Sequence, residues 1–360
     1  MKYPIYKPKI FPNTKKYVED CLDTNWISSR GNYIKNFEDS LADYLNVSHA
    51  TTASNGTTAL HLALCALDIG VGDEVIVPTF TYIASVNAIK YVGATPVFID
   101  SDRDTWNLDT SKIQAIITKK TKAIMAVHIY GNPCEMDNLT SICKSNDLFL
   151  IEDCAESLGS NYDKKATGSF GDVSTFSFFG NKTITTGEGG MVSSNDKNII
   201  DRVASLKNHA QSDKKYWHEE VGFNYRMTNI CAAIGLSQME NIGSISARKI
   251  EIAKIYKNLL EDQNIEFQIE EKNSESSNWL VSILLKNKNT RDELAKFLEI
   301  EGIETRPLFY PASRMPMYSS DQSFPVAEAL SDRGMNLPSY PDLSNSDINY
   351  ISGKIKTFLG

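Results

Sequence analysis

Short, evenly apolar segments alternate with helix-length amphipathic stretches through the first half of this chain, and that alternation restricts the fold more than any other feature. The segments "ATTA", "DEVIVPT", "ATPVFID", "KAIMAVH" and "LFLIED" read as strands. Between them, "SNGTTALHLALCAL", "YIASVNAIKYV", "DTSKIQAII" and "DNLTSICKSN" carry helical signals. Strands that are apolar on both faces and separated by helices imply a mostly parallel sheet with helices on both faces. From "STFSFF" and "GGMVSS" onward the strands come closer together, as at the end of such a sheet. Upstream, a short helix is expected from Thr14 with Asn13 as its cap, and a second through Tyr33, Phe37, Leu41 and Tyr44. Helical periodicity then runs from about Met227 to Leu260. The strand "WLVSILL", the helix "TRDELAKFLEI" and a terminal helix "NSDINYISGKIKTFL" complete a smaller α+β unit. The expected division is residues 1–245 for the large α/β domain and 246–360 for the small one.

Composition narrows the function. With 41% hydrophobic and 23% charged residues in 360, a sizeable core is available. A net charge of −8 argues against nucleic acid or an anionic membrane as the main partner. Cys21, Cys65, Cys134, Cys143, Cys154 and Cys231 show no CxxC pair or metal-like spacing, so reduced core thiols are expected. "MKYPIYKPKIFPN" has no apolar leader core, and no run of about 18 apolar residues occurs. The expectation is a soluble cytoplasmic protein.

In open parallel sheets, ligands bind beyond the carboxyl ends of the strands. The polar residues there are Ser54, Asn55, Gly56 and Thr57, then Thr79 to Tyr82, His128 and Tyr130, Asp153 and Ser177, with Lys182 soon after. "SNGTTALHL" is either an anion-binding turn feeding a helix or an ordinary capped helix. Neither GxGxxG after a strand nor GxxxxGK[ST] occurs, which argues against dinucleotide and nucleoside-triphosphate chemistry. Asp153 closes an apolar strand, either as a rigidly held carboxylate or as a helix cap, while Glu152 points to the opposite side. Lys182 stands between "FSFFGN" and "GEGG", where a partly desolvated amine would become a nucleophile towards aldehydes. A phosphate cradle, a buried aspartate and a sheltered lysine are together what pyridoxal 5′-phosphate (PLP) requires.

The segments "SNGTTAL", "EDCAESLGS", "FSFFGNKTITTGEGG" and "GFNYRMTNICAAIG" resemble, in order along the chain, the signatures of the DegT/DnrJ/EryC1/StrS family of PLP-dependent sugar aminotransferases. That resemblance implies the aspartate-aminotransferase-like fold (fold type I) and transfer of an amino group from L-glutamate to C4 of a nucleotide-linked 4-keto-6-deoxy sugar. A GDP-linked ketone is the first expectation; a UDP- or dTDP-linked one, aminated at C4 or C3, is the alternative. It further implies that Lys182 holds the cofactor's aldehyde and shuttles the proton, and that Asp153 pairs with the pyridine nitrogen. Tyr82 would stack on the ring, Glu156 would lie near its hydroxyl, and Asn55, Gly56, Thr57 and Ser177 would cradle the phosphate. Asn224 would reach that phosphate from the partner of a homodimer, with dimer and tetramer both open. Trp26, Ser28, Arg306 and Tyr310 would line the sugar-nucleotide side. Family dehydratases carry histidine at the position of Lys182, so lysine favours aminotransfer. Ser277, Asn278 and Ser313 depart from residues common in relatives and would fall near the substrate.

Two other classes compete with this reading: a regulator on the same fold, and a nicotinamide oxidoreductase, for which the glycine fingerprint is missing. His128 is read as either a packed strand-end histidine or a ligand contact. His209 and His218 lack metal-like partners, so no metal site is expected. "FQIEEKNSESSN" reads as a solvated loop.

Overall fold

The computed structural model describes residues 1–319 and 321–360. The chain opens with helices α1 (Pro12–Asp23) and α2 (Asn32–Leu45), then alternates through β1 (His49–Ala53), α3 (Gly56–Ala66), β2 (Glu74–Pro78), α4 (Ile83–Tyr91) and β3 (Thr95–Ile99). A short α5 (Ile113–Ile116), β4 (Thr121–Val127), α6 (Met136–Asn146) and β5 (Phe149–Asp153) follow. The hairpin β6 (Asn161–Tyr162) and β7 (Lys165–Ala166) leads to β8 (Val173–Ser177), β9 (Gly190–Ser194) and α7 (Lys197–Leu206). Helices α8 (Asn229–Met239) and α9 (Ile242–Leu260) precede β10 (Glu266–Phe267), β11 (Ser274–Glu275) and β12 (Val281–Leu284). The last elements are α10 (Lys288–Ile300), β13 (Arg306–Pro307), α11 (Pro325–Arg333), β14 (Gly334–Leu337) and α12 (Asn345–Leu359).

Seven strands form the central sheet in the order β1-β9-β8-β5-β4-β2-β3. All pairings from β8 to β3 are parallel; β9 alone runs against its neighbours β8 and β1. Strand alternation sorts side chains into two cores. Val75, Val77, Met125 and Ile151 pack with α3, α4 and α7, whereas Ile76, Ile124 and Leu150 pack with α6 on the other face. This is the doubly covered sheet that the strand pattern implied. A second sheet, β10-β12-β14-β13, packs with α9, α10 and α12 around Ile283, Leu298 and Ile351. Helix α9 spans both regions: Ile242 and Ile245 join a core with Phe37 and Phe178, while Ile252 and Tyr256 belong to the C-terminal core.

Three expectations fail locally. The first helix starts at Pro12, whose fixed φ suits the first helical position. Thr14 is instead buried inside that helix, with its hydroxyl 2.6 Å from the Ser237 hydroxyl. The Met227–Leu260 periodicity is two helices, broken at Glu240–Asn241, because the apolar pattern continues across the break. "FQIEEKNSESSN" is not a free loop. Its β11 pairs with β6, and Gln268 donates to the Thr105 carbonyl at 2.7 Å. The six cysteines form no disulfide, and Cys65 and Cys231 are half-buried rather than core residues.

Glu152 and Asp153 diverge across the sheet as alternation demands. The buried Glu152 carboxylate accepts from the amides of Gly168 (2.8 Å), Phe170 (2.8 Å) and Gly171 (2.7 Å), and from the Ser174 hydroxyl (3.2 Å). It also lies 3.1 Å from His128 Nε2. Because His128 Nδ1 accepts from the Cys134 amide at 3.0 Å, the imidazole hydrogen sits on Nε2 and points at Glu152. His128 is therefore an internal strut and not a ligand contact. His128, Glu152 and Cys154 bring ligand-type atoms within 4.8 Å of one another, but hydrogen-bond donors already occupy the carboxylate. Glu152→Ala strands these buried donors and is expected to cost about 3–5 kcal/mol of stability, readable by urea unfolding.

Candidate active site

The strand-end loops converge as expected. At the carboxyl end of β5, Asp153 is buried; its Oδ2 accepts from the Ser85 hydroxyl of α4 at 2.7 Å and its Oδ1 from the Ala155 amide at 3.1 Å. Glu156, one turn on, is buried as well, and its Oε2 accepts from the Tyr130 amide at 2.7 Å. Lys182 lies on the loop joining β8 to β9, with its side chain 12% exposed and its Nζ 3.7 Å from Glu156 Oε1. Below it is the Trp279 ring, 4.1 Å from Nζ to centroid, a face that attracts a cation.

Burial disfavours the ammonium, and the neighbouring Glu156 and Asp153 carboxylates offset only part of that, so the Lys182 pKa falls below its ordinary value. Burial likewise pushes the Glu156 carboxyl up to about 7, with Lys182 opposing the rise. This is the combination that yields a nucleophilic amine beside a group able to exchange protons near neutrality.

Across the crevice, Asn55 caps α3, its Oδ1 accepting from the Thr58 amide at 2.9 Å. That leaves the Gly56 and Thr57 amides of the first turn without an intrahelical acceptor. Gly56 is required by close approach: a Cβ there would stand 2.6 Å from the Ser177 Cβ. Asn55, Gly56, Thr57 and Ser177 thus lie together at the start of α3, where the helix dipole favours an anion. A buried carboxylate, a desolvated amine and an anion cradle fit PLP on the donor set alone.

Tyr82 is half exposed, with its ring centroid 5.7 Å from that of Phe309. Tyr130 stacks between Phe309 (5.2 Å) and Trp279 (6.1 Å), forming an aromatic wall behind Lys182. Arg306, paired with Glu304 at 3.2 Å, and Tyr310 are on the surface. Trp26, Ser28 and Asn224 are also exposed. Among the described residues, no hydrogen bond or ion pair joins these five to Lys182, Asp153 or Glu156. The Asn224 Oδ1 instead accepts from Arg226 Nη2 at 2.8 Å. Ser313 and Ser277 are both buried and bonded within the chain. Ser313 is buried against Thr79 (2.9 Å), and Ser277 is buried with its hydroxyl on the Glu156 carbonyl (3.3 Å). Asn278 donates to its neighbour's carbonyl at Ser276, 2.9 Å away. Trp279 and Ser85 escaped sequence reasoning as members of the site, whereas Tyr130 was visible as a strand-end residue; the apolar run around Trp279 reads as core.

Residues 8–356 match the DegT/DnrJ/EryC1/StrS aminotransferase family. The chain belongs to that family. It is 55% identical to GDP-perosamine synthase from Escherichia coli O157:H7 and 49% identical to GDP-perosamine synthase from Vibrio cholerae. These alignments cover 99% of this chain in both cases, and 99% and 98% of the two relatives. A putative sugar aminotransferase from Streptococcus pneumoniae in its PLP form superposes with a TM-score of 0.94 at 29% identity, covering 99% of this chain and 98% of that one. The protein is a PLP-dependent sugar aminotransferase of α/β architecture.

Glu156 also leaves a signature in stability. Its folded pKa, about 7, lies above the ordinary 4.5, so the folded state binds the extra proton between those values. The contribution is complete below about pH 4.5 and is lost as pH rises through 7. In cofactor-free protein, the melting temperature of wild type minus that of Glu156→Gln is expected to fall across this window. Subtracting the variant removes the opposite-signed background from His61, whose burial lowers its pKa. A flat difference would contradict the assignment.

Proposed function

We propose that this enzyme transfers the amino group of L-glutamate to C4 of GDP-4-keto-6-deoxy-D-mannose, forming GDP-perosamine. The observation that carries the reading is the 55% identity, over 99% of both chains, to a GDP-perosamine synthase. The product suits supply of an amino sugar for lipopolysaccharide O-antigen assembly in the cytoplasm.

Bound at this site, PLP supplies an aldehyde for the amino group and an electron-withdrawing ring for the pair released at Cα. Lys182, whose ammonium is disfavoured by burial, would hold that aldehyde through Nζ and, with its amine free, would carry the proton from Cα. Asp153 is fixed by Ser85 and the Ala155 amide, and its carboxylate keeps a proton on the pyridine nitrogen. Glu156 accepts or returns a proton beside Lys182 and the ring hydroxyl. Asn55, Gly56, Thr57 and Ser177 hold the phosphate, and Tyr82 covers the ring. Arg306, Tyr310, Trp26 and Ser28 orient the sugar nucleotide. Asn224 acts from the partner subunit of a homodimer, which accords with its exposure and with Trp26 being 55% and Ile27 47% exposed.

The test is the absorbance of purified protein. The cofactor band should bleach with L-glutamate and return on adding GDP-4-keto-6-deoxymannose, but not on adding UDP- or dTDP-linked ketones. Recovery with a UDP-linked ketone alone would overturn the substrate assignment.

A further inference from the structure

Lys182 has a long flexible stem, so the location of its amine depends on how its peptide is anchored. The loop closes its own base, through the Phe178 amide to the Gly189 carbonyl (2.8 Å) and the Thr186 amide to the Phe178 carbonyl (2.9 Å), and ties the Lys182 amide to the Phe179 carbonyl (3.0 Å), while Gly180 and Gly187 have nothing within 4 Å of where a Cβ would stand. The carbonyls at its apex are taken by side chains from far away in sequence. Trp279 Nε1 donates to the Asn181 carbonyl at 2.7 Å, and the Tyr6 hydroxyl donates to the Lys182 carbonyl at 2.5 Å.

Tyr6 ends a strap that runs along the C-terminal unit. The amides of Lys2 and Tyr3 donate to the Gly302 carbonyl (2.8 and 3.0 Å), and the Ile5 amide donates to Glu304 Oε2 (2.9 Å). Buried Lys249 sits 5.3 Å from the Tyr6 ring centroid and donates to the Ser339 carbonyl at 3.0 Å, fixing the ring from behind. Burial also raises the Tyr6 pKa, so the hydroxyl keeps its proton as a donor.

We infer that Tyr6 is a positioning residue for Lys182, through which the N-terminal strap holds the lysine's peptide in register with the C-terminal unit. This rests on Lys182 being the cofactor-bearing residue. Small displacements of a reacting group cost rate disproportionately, so the clamp acts on turnover more than on binding.

The experiment uses Tyr6→Phe, which keeps the ring and removes the donor, in the full-length, PLP-loaded protein. Hydrogen exchange of the Lys182 to Thr186 amides should quicken about tenfold, the worth of one hydrogen bond. Turnover should fall about tenfold with KM for L-glutamate within about twofold, and the pH midpoint of the cofactor's absorbance should move. Glu304→Gln, which weakens the acceptor for the Ile5 amide beside Tyr6, should shift the same readings in the same direction by less. Exchange and absorbance titration identical to wild type would overturn the inference, even if the melting temperature fell. Borohydride reduction followed by peptide mass analysis tests separately whether Lys182 carries the cofactor. Should it not, the exchange result alone still decides whether Tyr6 holds this peptide.

Discussion

Lys182→Ala is expected to abolish turnover, with a loss of at least about 10⁴-fold, the upper range for a positioned acid–base group, and to remove the absorbance of covalently attached cofactor. The fold should survive. The Lys182 side chain is 12% exposed, and its charge is already disfavoured by burial, so deleting it removes a desolvation cost along with its contact to Glu156. Glu156 loses its cation, and its carboxyl moves further towards the neutral form. Because Glu156 can take up a proton rather than remain a bare buried charge, cofactor-free protein should still melt cooperatively. Lys182→Arg separates charge from nucleophilicity. It keeps a cation over the Trp279 face, yet the guanidinium cannot lose its proton at any working pH. It should be as inactive as the alanine variant while retaining the native melting temperature. Steady-state turnover above about one-hundredth of wild type in either variant, a level no missing acid–base group of this kind permits, would sink the role.

The large sheet was legible because its signal is local. Each of "DEVIVPT", "KAIMAVH" and "LFLIED" declares a two-sided buried strand by itself, and the end of each strand is where a parallel sheet binds ligands. Asp153, Gly56 and Ser177 were read as candidates in that way, and the fold places them at or just beyond strand ends. Lys182 was legible only in company, since a lone lysine carries no sign of burial. Ser85, Trp279 and Tyr6 were not legible as site residues, and the reason is physical. Their roles depend on contacts across long sequence separations: Trp279 reaches Asn181 over 98 residues, and Tyr6 reaches Lys182 over 176. In the sequence, Trp279 is one more apolar residue of a strand, and Tyr6 sits in a proline-containing segment with no periodicity. Ser277 and Ser313, expected near the substrate, are both buried and hydrogen-bonded to their own chain, an environment that a serine in a loop segment does not announce.

Asp153→Asn should slow the half-reaction with L-glutamate by about 10²–10³-fold, the scale of losing one fixed electrostatic contact to developing charge. The substitution is nearly isosteric, and the surrounding hydrogen bonds can re-form. The Asn oxygen still accepts from the Ala155 amide, while the Ser85 hydroxyl, 3.1 Å from the Thr81 hydroxyl, can turn to donate there and accept from the new amide. Stability should change by less than about 1 kcal/mol. What inverts is the preference at the pyridine nitrogen. A carboxylate accepts and so favours a protonated ring; a carboxamide whose NH₂ faces the ring donates and favours the unprotonated one. The ring then withdraws electrons less strongly, and the pair released at Cα is stabilised less. The rate of absorbance bleaching in a stopped-flow mix with L-glutamate reads this step apart from sugar binding. Calorimetric melting of the same sample separates it from misfolding. A half-reaction within about threefold of wild type, with the cofactor bound, would show that Asp153 does not set the charge of the ring.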